Sequence, residues 1–210
     1  MRATDGPDDR FIAAYQGEPG AFSEEAIREL WGDAVSPLPC ATFAEVALAV
    51  HDGRARVGVL PVENTIAGPV RESLAAIAEA RLPSVGATEL AIRLCLLALP
   101  GVTIEELRSA ESHPVALRQC AAFLRAHPWL AAREAFDTAG AARAVAGAAD
   151  RTRGGIASAR AGELTGLVAL ARGIEDHAGN VTRFTIVARE PMELPSSALD
   201  RGRPRANLER

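Results

Sequence analysis

The sequence predicts an α/β fold of two lobes, each built on a mainly parallel sheet covered by helices. Short apolar runs alternate with Ala-rich segments of helical period along most of the 210 residues. Two extended stretches, 85–99 and 182–188, are placed to cross between lobes. Such crossings imply a cleft, and ligands of open α/β sheets sit beyond the carboxyl ends of strands. The expected divisions are 11–84 plus 180–190 for the first lobe and 85–179 for the second. Residues 1–10 and 191–210, rich in Pro, Arg and Ser, read as flexible tails.

Taken in order, Phe11 to Tyr15 is a first apolar strand. Ser23, followed by Glu24 and Glu25, opens a helix: its hydroxyl can cap free N–H groups while the carboxylates complement the positive end of the dipole. That helix fades at Trp31-Gly32. Thr42-Phe43-Ala44-Glu45 is a capping box for a second helix, which stops before Asp52-Gly53. Arg56 to Leu60 reads as a buried strand ending at Pro61 in a polar turn, Glu63-Asn64-Thr65. A third helix over Pro69 to Arg81 puts Val70, Leu74 and Ile77 on one face.

The second half repeats the pattern. A capping box at Thr103 to Glu106 is followed by a helix opened by Ser112, a strand at Arg133 to Phe136 and an Ala-rich helix capped by Thr138. Gly155 to Ala159 reads as a strand, Arg160 to Leu164 as a helix, Val168 to Ala171 as a strand, and Thr182 to Ala188 as a last strand that returns to the first lobe.

Composition narrows the chemistry. Hydrophobic residues make up 48% and charged ones 24%, which is ordinary globular usage, but aromatic residues are only 4%. The core must then be built from Ala, Val, Leu and Ile, and a base-stacking platform for single-stranded nucleic acid is excluded. A net charge of -4 with no basic run before the C-terminal tail leaves no footprint for a phosphate backbone. The expected partner is a small molecule, with neither nucleic acid nor membrane. All 23 basic residues are arginine, so lysine Schiff bases, the phosphate-loop lysine and Ser-x-x-Lys acyl enzymes are ruled out. Cys40, Cys95 and Cys120 form no C-x-x-C, and the four histidines lack ligand spacing, so no metal site is expected. The cysteine usage suits a reducing cytoplasm. Met1 to Arg10 is polar and acidic rather than an apolar signal core, and the longest apolar run, Leu94 to Pro100, falls far short of the roughly 20 residues that span a bilayer. Neither a Gly-x-Ser-x-Gly elbow nor a Gly-x-Gly-x-x-Gly loop is found.

Five polar islands fall at expected strand-to-helix junctions: Gly17 to Ser23, Glu63-Asn64-Thr65 with Gly68, Ser112-His113-Pro114 with Gln119, Asp137-Thr138, and Asp176 to Phe184. Gln119 lies seven residues beyond Ser112, about two helical turns. On one helix the two would share a face, beside an N-terminus that favours anions.

Read together, the islands resemble the catalytic domain of prephenate dehydratase. The similar pieces are Tyr15-Gln16-Gly17-Glu18-Pro19-Gly20-Ala21-Phe22-Ser23-Glu24, Leu60 to Thr65 with Gly68 and Val70, Ser112-His113-Pro114 with Ala116, Leu117, Gln119 and Cys120, and Asp176 with Asn180, Thr182, Arg183 and Phe184. The resemblance implies a bilobal fold like the type II periplasmic binding proteins, with the site in the interlobe cleft. It places the family's catalytic Thr on Thr182, its essential Gln on Gln119 and its essential Asn on Asn64. Glu63, Thr65, Ser112, Arg183, Phe184 and Ser23 would bind substrate; the planar fork of Arg183 suits a carboxylate anchor, the alternative being a structural pair with an acidic neighbour such as Asp176. Aromatisation drives the implied reaction, so no cofactor is expected. A homodimer is what the family suggests. The sequence departs from the pattern at Val115, where many members carry a second Gln. The short tail after the last strand also leaves no room for the regulatory ACT domain most members carry, so feedback inhibition through it is expected to be missing. Arogenate dehydratase, a non-aromatising prephenate decarboxylase and a non-catalytic solute-binding module are the competing readings, and the Thr182-Arg183-Phe184 triplet favours dehydration over decarboxylation alone.

Overall fold

A computed structural model describes residues 10–194; residues 1–9 and 195–210, and the tail expectation that falls on them, lie outside the described residues. The first half runs β1 (Phe11–Gln16), α1 (Phe22–Trp31), β2 (Val35–Cys40), α2 (Phe43–His51), β3 (Val57–Asn64), β4 (Gly68–Pro69), α3 (Arg71–Ala80) and β5 (Ser84–Ala91). The second half runs β6 (Cys95–Ala98), β7 (Ser109–Ser112), α4 (Pro114–Gln119), α5 (Ala121–Ala126), β8 (Ala131–Glu134), α6 (Thr138–Ala148), β9 (Arg153–Ala157), α7 (Ala159–Thr165), β10 (Val168–Arg172) and β11 (Val181–Val187).

These strands form two sheets, ordered β2-β1-β3-β11-β5 with β4 on β3, and β10-β6-β9-β7-β8. The two-lobe α/β expectation holds, but both sheets are mixed rather than mainly parallel. β1 runs parallel to β2 and β3, and β7 to β8 and β9. Against these, β11 is antiparallel to β3 and β5, and β6 to β9 and β10. The antiparallel pairs arise because strands entering or leaving through the crossings approach each sheet from the opposite end. The extended stretch at 85–99 resolves into two strands in different sheets. β5 pairs with β11, so sheet membership puts the crossings at 92–94 and 173–180 rather than at 84/85.

Several local expectations shift for identifiable reasons. β2, unread in the sequence because it contains two prolines, is an edge strand. Pro37 and Pro39 are two apart, so their missing N–H groups fall on one side, where an edge strand has no neighbour to lose. β3 does not stop at Pro61 but continues to Asn64, and the register shifts where Pro61 faces Phe184. In α3 the buried positions are Ser73 and Ala76, while Leu74 is exposed. Ser23 lies inside α1, whose N-cap is Ala21; Ser112 ends β7, and His113 caps α4; Asp137, not Thr138, caps α6. Thr42 caps α2 as expected, its Oγ1 accepting from the Glu45 N–H. Within the expected C-terminal tail, Met192 and Leu194 pack against the core.

The core is largely Ala, Val, Leu and Ile, as the composition demands. The largest buried side chains are nevertheless aromatic: Trp31, Tyr15 and Phe184. Burial pushes the Tyr15 hydroxyl well above its ordinary range, so it stays protonated.

In the second sheet, Arg153 on β9 forks onto Glu111 on β7 with two hydrogen bonds of 2.7 Å. Arg153→Met strands a buried carboxylate and is expected to cost about 3 kcal/mol of stability, read as a lower urea midpoint at unchanged slope. The hydrogen bonds from Arg153 hold the Glu111 carboxyl below its ordinary value of 4.5. The pair therefore contributes fully above that value and fades as pH falls through the lower folded one, so the gap between wild type and Arg153→Met narrows below about pH 4.5.

Candidate active site

A cleft of about 650 Å³ lies between the lobes. Its floor is the meeting of β3 and β11. Antiparallel pairing sets Thr182 directly opposite Asn64 and Arg183 opposite Glu63. Alternation along a strand then sends Thr182 and Phe184 to one face and Arg183 to the other.

The Asn64 side chain is oriented by the backbone. Its Oδ1 accepts from the Ile66 N–H at 3.0 Å and the Ala67 N–H at 2.9 Å, so the turn after β3 acts as a clamp on one end of the amide. Its Nδ2 must then face the other way, where it donates to Thr182 Oγ1 at 2.9 Å and Asn180 Oδ1 at 2.7 Å. Because Asn180 Oδ1 is the acceptor, its Nδ2 is the donor, and it donates to Gln119 Oε1 at 3.1 Å. Gln119 is therefore left with its Nε2 as a donor engaged only in a long 3.5 Å contact to Asn64 Oδ1. The polarity set at Ile66 and Ala67 thus propagates through three amides. It ends in two donors among the cleft residues: the Thr182 hydroxyl, whose oxygen already accepts from Asn64, and the Gln119 amide.

Four helices begin at the cleft. Phe22 and Ser23 at the start of α1, Thr42 and Phe43 at α2, Val115 and Ala116 at α4, and Thr138 at α6 all line it. A helix start favours anions, but those of α2, α4 and α6 are already capped by Thr42, His113 and the Asp137 carboxylate. α1 has no capping side chain, since its N-cap is Ala21, so its first N–H groups stay open to a ligand. The charged side chains lining the cleft are Glu72 and Asp137, and no arginine is among them. His113 Nδ1 accepts from the Val115 N–H, which leaves the proton on Nε2, and burial holds its pKa below the ordinary 6.5.

Of the residues expected at a site, Thr182, Gln119, Asn64, Phe184 and Ser23 line this cleft. Arg183 does not: it is exposed on the opposite face, 3.2 Å from Glu89 and 3.5 Å from Glu63. Neither Arg183 nor Glu63 can anchor a ligand in the cleft from there. Thr65 Oγ1 donates to the Gly179 carbonyl and accepts from the Val181 N–H, so it fastens the loop that carries Asn180. Ser112 is fully buried and donates to the Ile156 carbonyl, joining β7 to β9 instead of lining the cleft. Nor does it share a helix face with Gln119, because α4 starts after it. Sequence reasoning did not assign Asn180 a role. Its signal was an Asn two residues before Thr182, which the structure buries completely between Asn64 and Gln119. Phe136, 77% exposed, and Glu72 also line the cleft and carried no sequence signal for a site.

The lobes also touch beside the cleft. Gly20 has φ +94°, and a Cβ there would lie 2.8 Å from the Ala161 Cα on α7; the Ser158 hydroxyl donates to the Gly20 carbonyl. Only glycine permits this approach.

The prephenate dehydratase family model matches residues 13–192. The chain is 44% identical over 180 residues to arogenate dehydratase 1 of Petunia hybrida, covering 85% of this chain and 42% of that protein. It is 42% identical over 187 residues to a bifunctional N-acyl-homoserine lactone acylase/prephenate dehydratase of Komagataeibacter europaeus, covering 88% of this chain and 65% of that one. Among solved structures, a prephenate dehydratase of Arthrobacter aurescens in complex with L-Phe superposes with a TM-score of 0.80 at 26% identity, over 87% of this chain and 63% of that one. The chain thus spans between 42% and 65% of the length of these three proteins.

Asn180→Leu removes the central link and leaves buried groups of Gln119 and Asn64 unpaired. It is expected to destabilise the fold by about 1–3 kcal/mol, measured by urea denaturation.

Proposed function

The chain belongs to the prephenate dehydratase family, and from this premise we propose that it converts prephenate to phenylpyruvate by decarboxylating dehydration, as a carbon-oxygen lyase of phenylalanine biosynthesis. The observation that carries the reading is the amide relay that ends in the Thr182 hydroxyl and the Gln119 amide at the cleft.

The reaction breaks two bonds at opposite ring positions. Electrons of the carbon-carboxylate bond move into the ring as carbon dioxide leaves, and the hydroxyl opposite departs with its bonding pair. Thr182 protonates that oxygen as it leaves, so the products are carbon dioxide, water and an aromatic ring, and the Thr182 oxygen takes its proton back from solvent before the next turnover. Its proton is free for this because Asn64 occupies an oxygen lone pair rather than the hydrogen, and the received bond polarises the O–H. Gln119 Nε2 and the open N–H groups of α1 hold the substrate carboxylates without a guanidinium. This replaces the Arg183 anchor expected from sequence. Phe184 and Leu94 give the ring an apolar wall.

The aminated substrate, arogenate, is a second reading favoured by one observation: Glu72 and Asp137 both line the cleft and could receive an ammonium that prephenate lacks. A cytoplasmic homodimer completes the proposal. The three cysteines are free and buried, which suits a reducing compartment, and no helix among the described residues is long and apolar enough to cross a membrane. Light scattering reads the oligomeric state.

Incubating the protein with prephenate or arogenate, and identifying products by mass spectrometry against an enzyme-free blank, tests the reaction and ranks the two substrates. Thr182→Ala is expected to lower kcat by about 10² to 10⁴ with Thr182→Ser recovering part of the loss. Wild-type turnover in folded Thr182→Ala would remove the acid from Thr182, and a decarboxylated product that keeps its hydroxyl would overturn dehydration.

A further inference from the structure

A second cavity, of about 560 Å³, lies at the other end of the first sheet. It is reached from the amino ends of β1 and β3 and the carboxyl end of β11, whereas the catalytic cleft lies at the opposite strand ends. From Phe11 in this groove to Gln16 in the cleft is about 16 Å along β1, at roughly 3.3 Å per residue.

The groove gathers three arginines from two places in the chain. Arg54 and Arg56 come from the α2–β3 connection and Arg189 from the residues after β11. None of the three has an ion pair or side-chain hydrogen bond to another described residue, so what sets the groove apart is that three such guanidiniums converge on it. Arg56 sits 5.9 Å from the centre of the Phe11 ring, and Arg189 Nη1 reaches over the backbone of Gly53. Glu190 is the one carboxylate among the lining residues. Among the described residues the groove therefore carries three guanidiniums against one carboxylate, with Phe11, Val50 and Met192 as apolar members of its lining.

We propose that this groove binds a small organic dianion, with an oxyanion group held by Arg54, Arg56 and Arg189 and an apolar body laid against Phe11 and Met192. Guanidinium forks match the paired oxygens of carboxylates and phosphates alike, so both belong to the class. The apolar wall selects an anion with a hydrocarbon body over a bare inorganic one.

Calorimetric titration of the full chain with phenyl phosphate, phenylsuccinate and inorganic phosphate separates the sources, and its readout is independent of turnover. One of the two aryl anions is expected to bind at one site per chain and more tightly than inorganic phosphate, weakening as salt rises from about 50 to about 300 mM. In the doubly substituted Arg54→Gln/Arg189→Gln protein its Kd is expected to rise at least about tenfold, while in Thr182→Ala it stays unchanged. Both arginines are exposed, and an unchanged melting temperature confirms that the variant folds. Absence of heat up to about 10 mM of either aryl anion, a class of affinity too weak to be specific, overturns the proposal. So does binding that survives the arginine substitutions or disappears in Thr182→Ala, which would assign it to the catalytic cleft.

Discussion

Two backbone N–H groups, those of Ile66 and Ala67, grip one side-chain oxygen of Asn64. Primary amides can flip at little local cost, and a cleft lined by several of them has no inherent polarity. The grip removes that freedom from Asn64, and the removal passes to Asn180 and Gln119 because each acceptor can face only a donor. The direction of the site's hydrogen bonds is therefore set by the turn between β3 and β4.

The same economy appears in how the cleft handles anions. The charged side chains among its described lining residues are acids, and of the four helix starts that face it only α1 lacks a capping side chain. Fixed peptide dipoles carry no side-chain entropy and do not reorganise as charge moves during a reaction. Arginines are plentiful, but those near the site serve structure: Arg183 is held between Glu63 and Glu89 on the far side of the strand that carries Thr182.

Much of this was legible in the sequence. The polar islands could be placed because they sit at expected strand ends and helix starts, which local patterns mark, while the choice of Thr182, Asn64 and Gln119 within them came from the family resemblance. Ser112 and Arg183 went astray for a different reason. Which face a residue takes depends on register, and Arg183 is adjacent to a cleft residue yet points away from it. β2 was hidden by prolines that read as breakers until the strand is known to lie at an edge. The mixed sheets were also beyond local reading, since strand direction is set by pairings that are distant in sequence.

β11 is inserted between β3 and β5 although more than 85 residues separate it from β5 along the chain. The second sheet, by contrast, is drawn from one continuous stretch, β6 to β10. During synthesis the later-made lobe can therefore mature first, while the earlier one waits with the flanks of β3 and β5 unpaired until the final strand is delivered. The last strand to arrive also brings Thr182 to Asn64, so the hydrogen-bonded chain at the cleft is complete only when β11 has joined the first sheet.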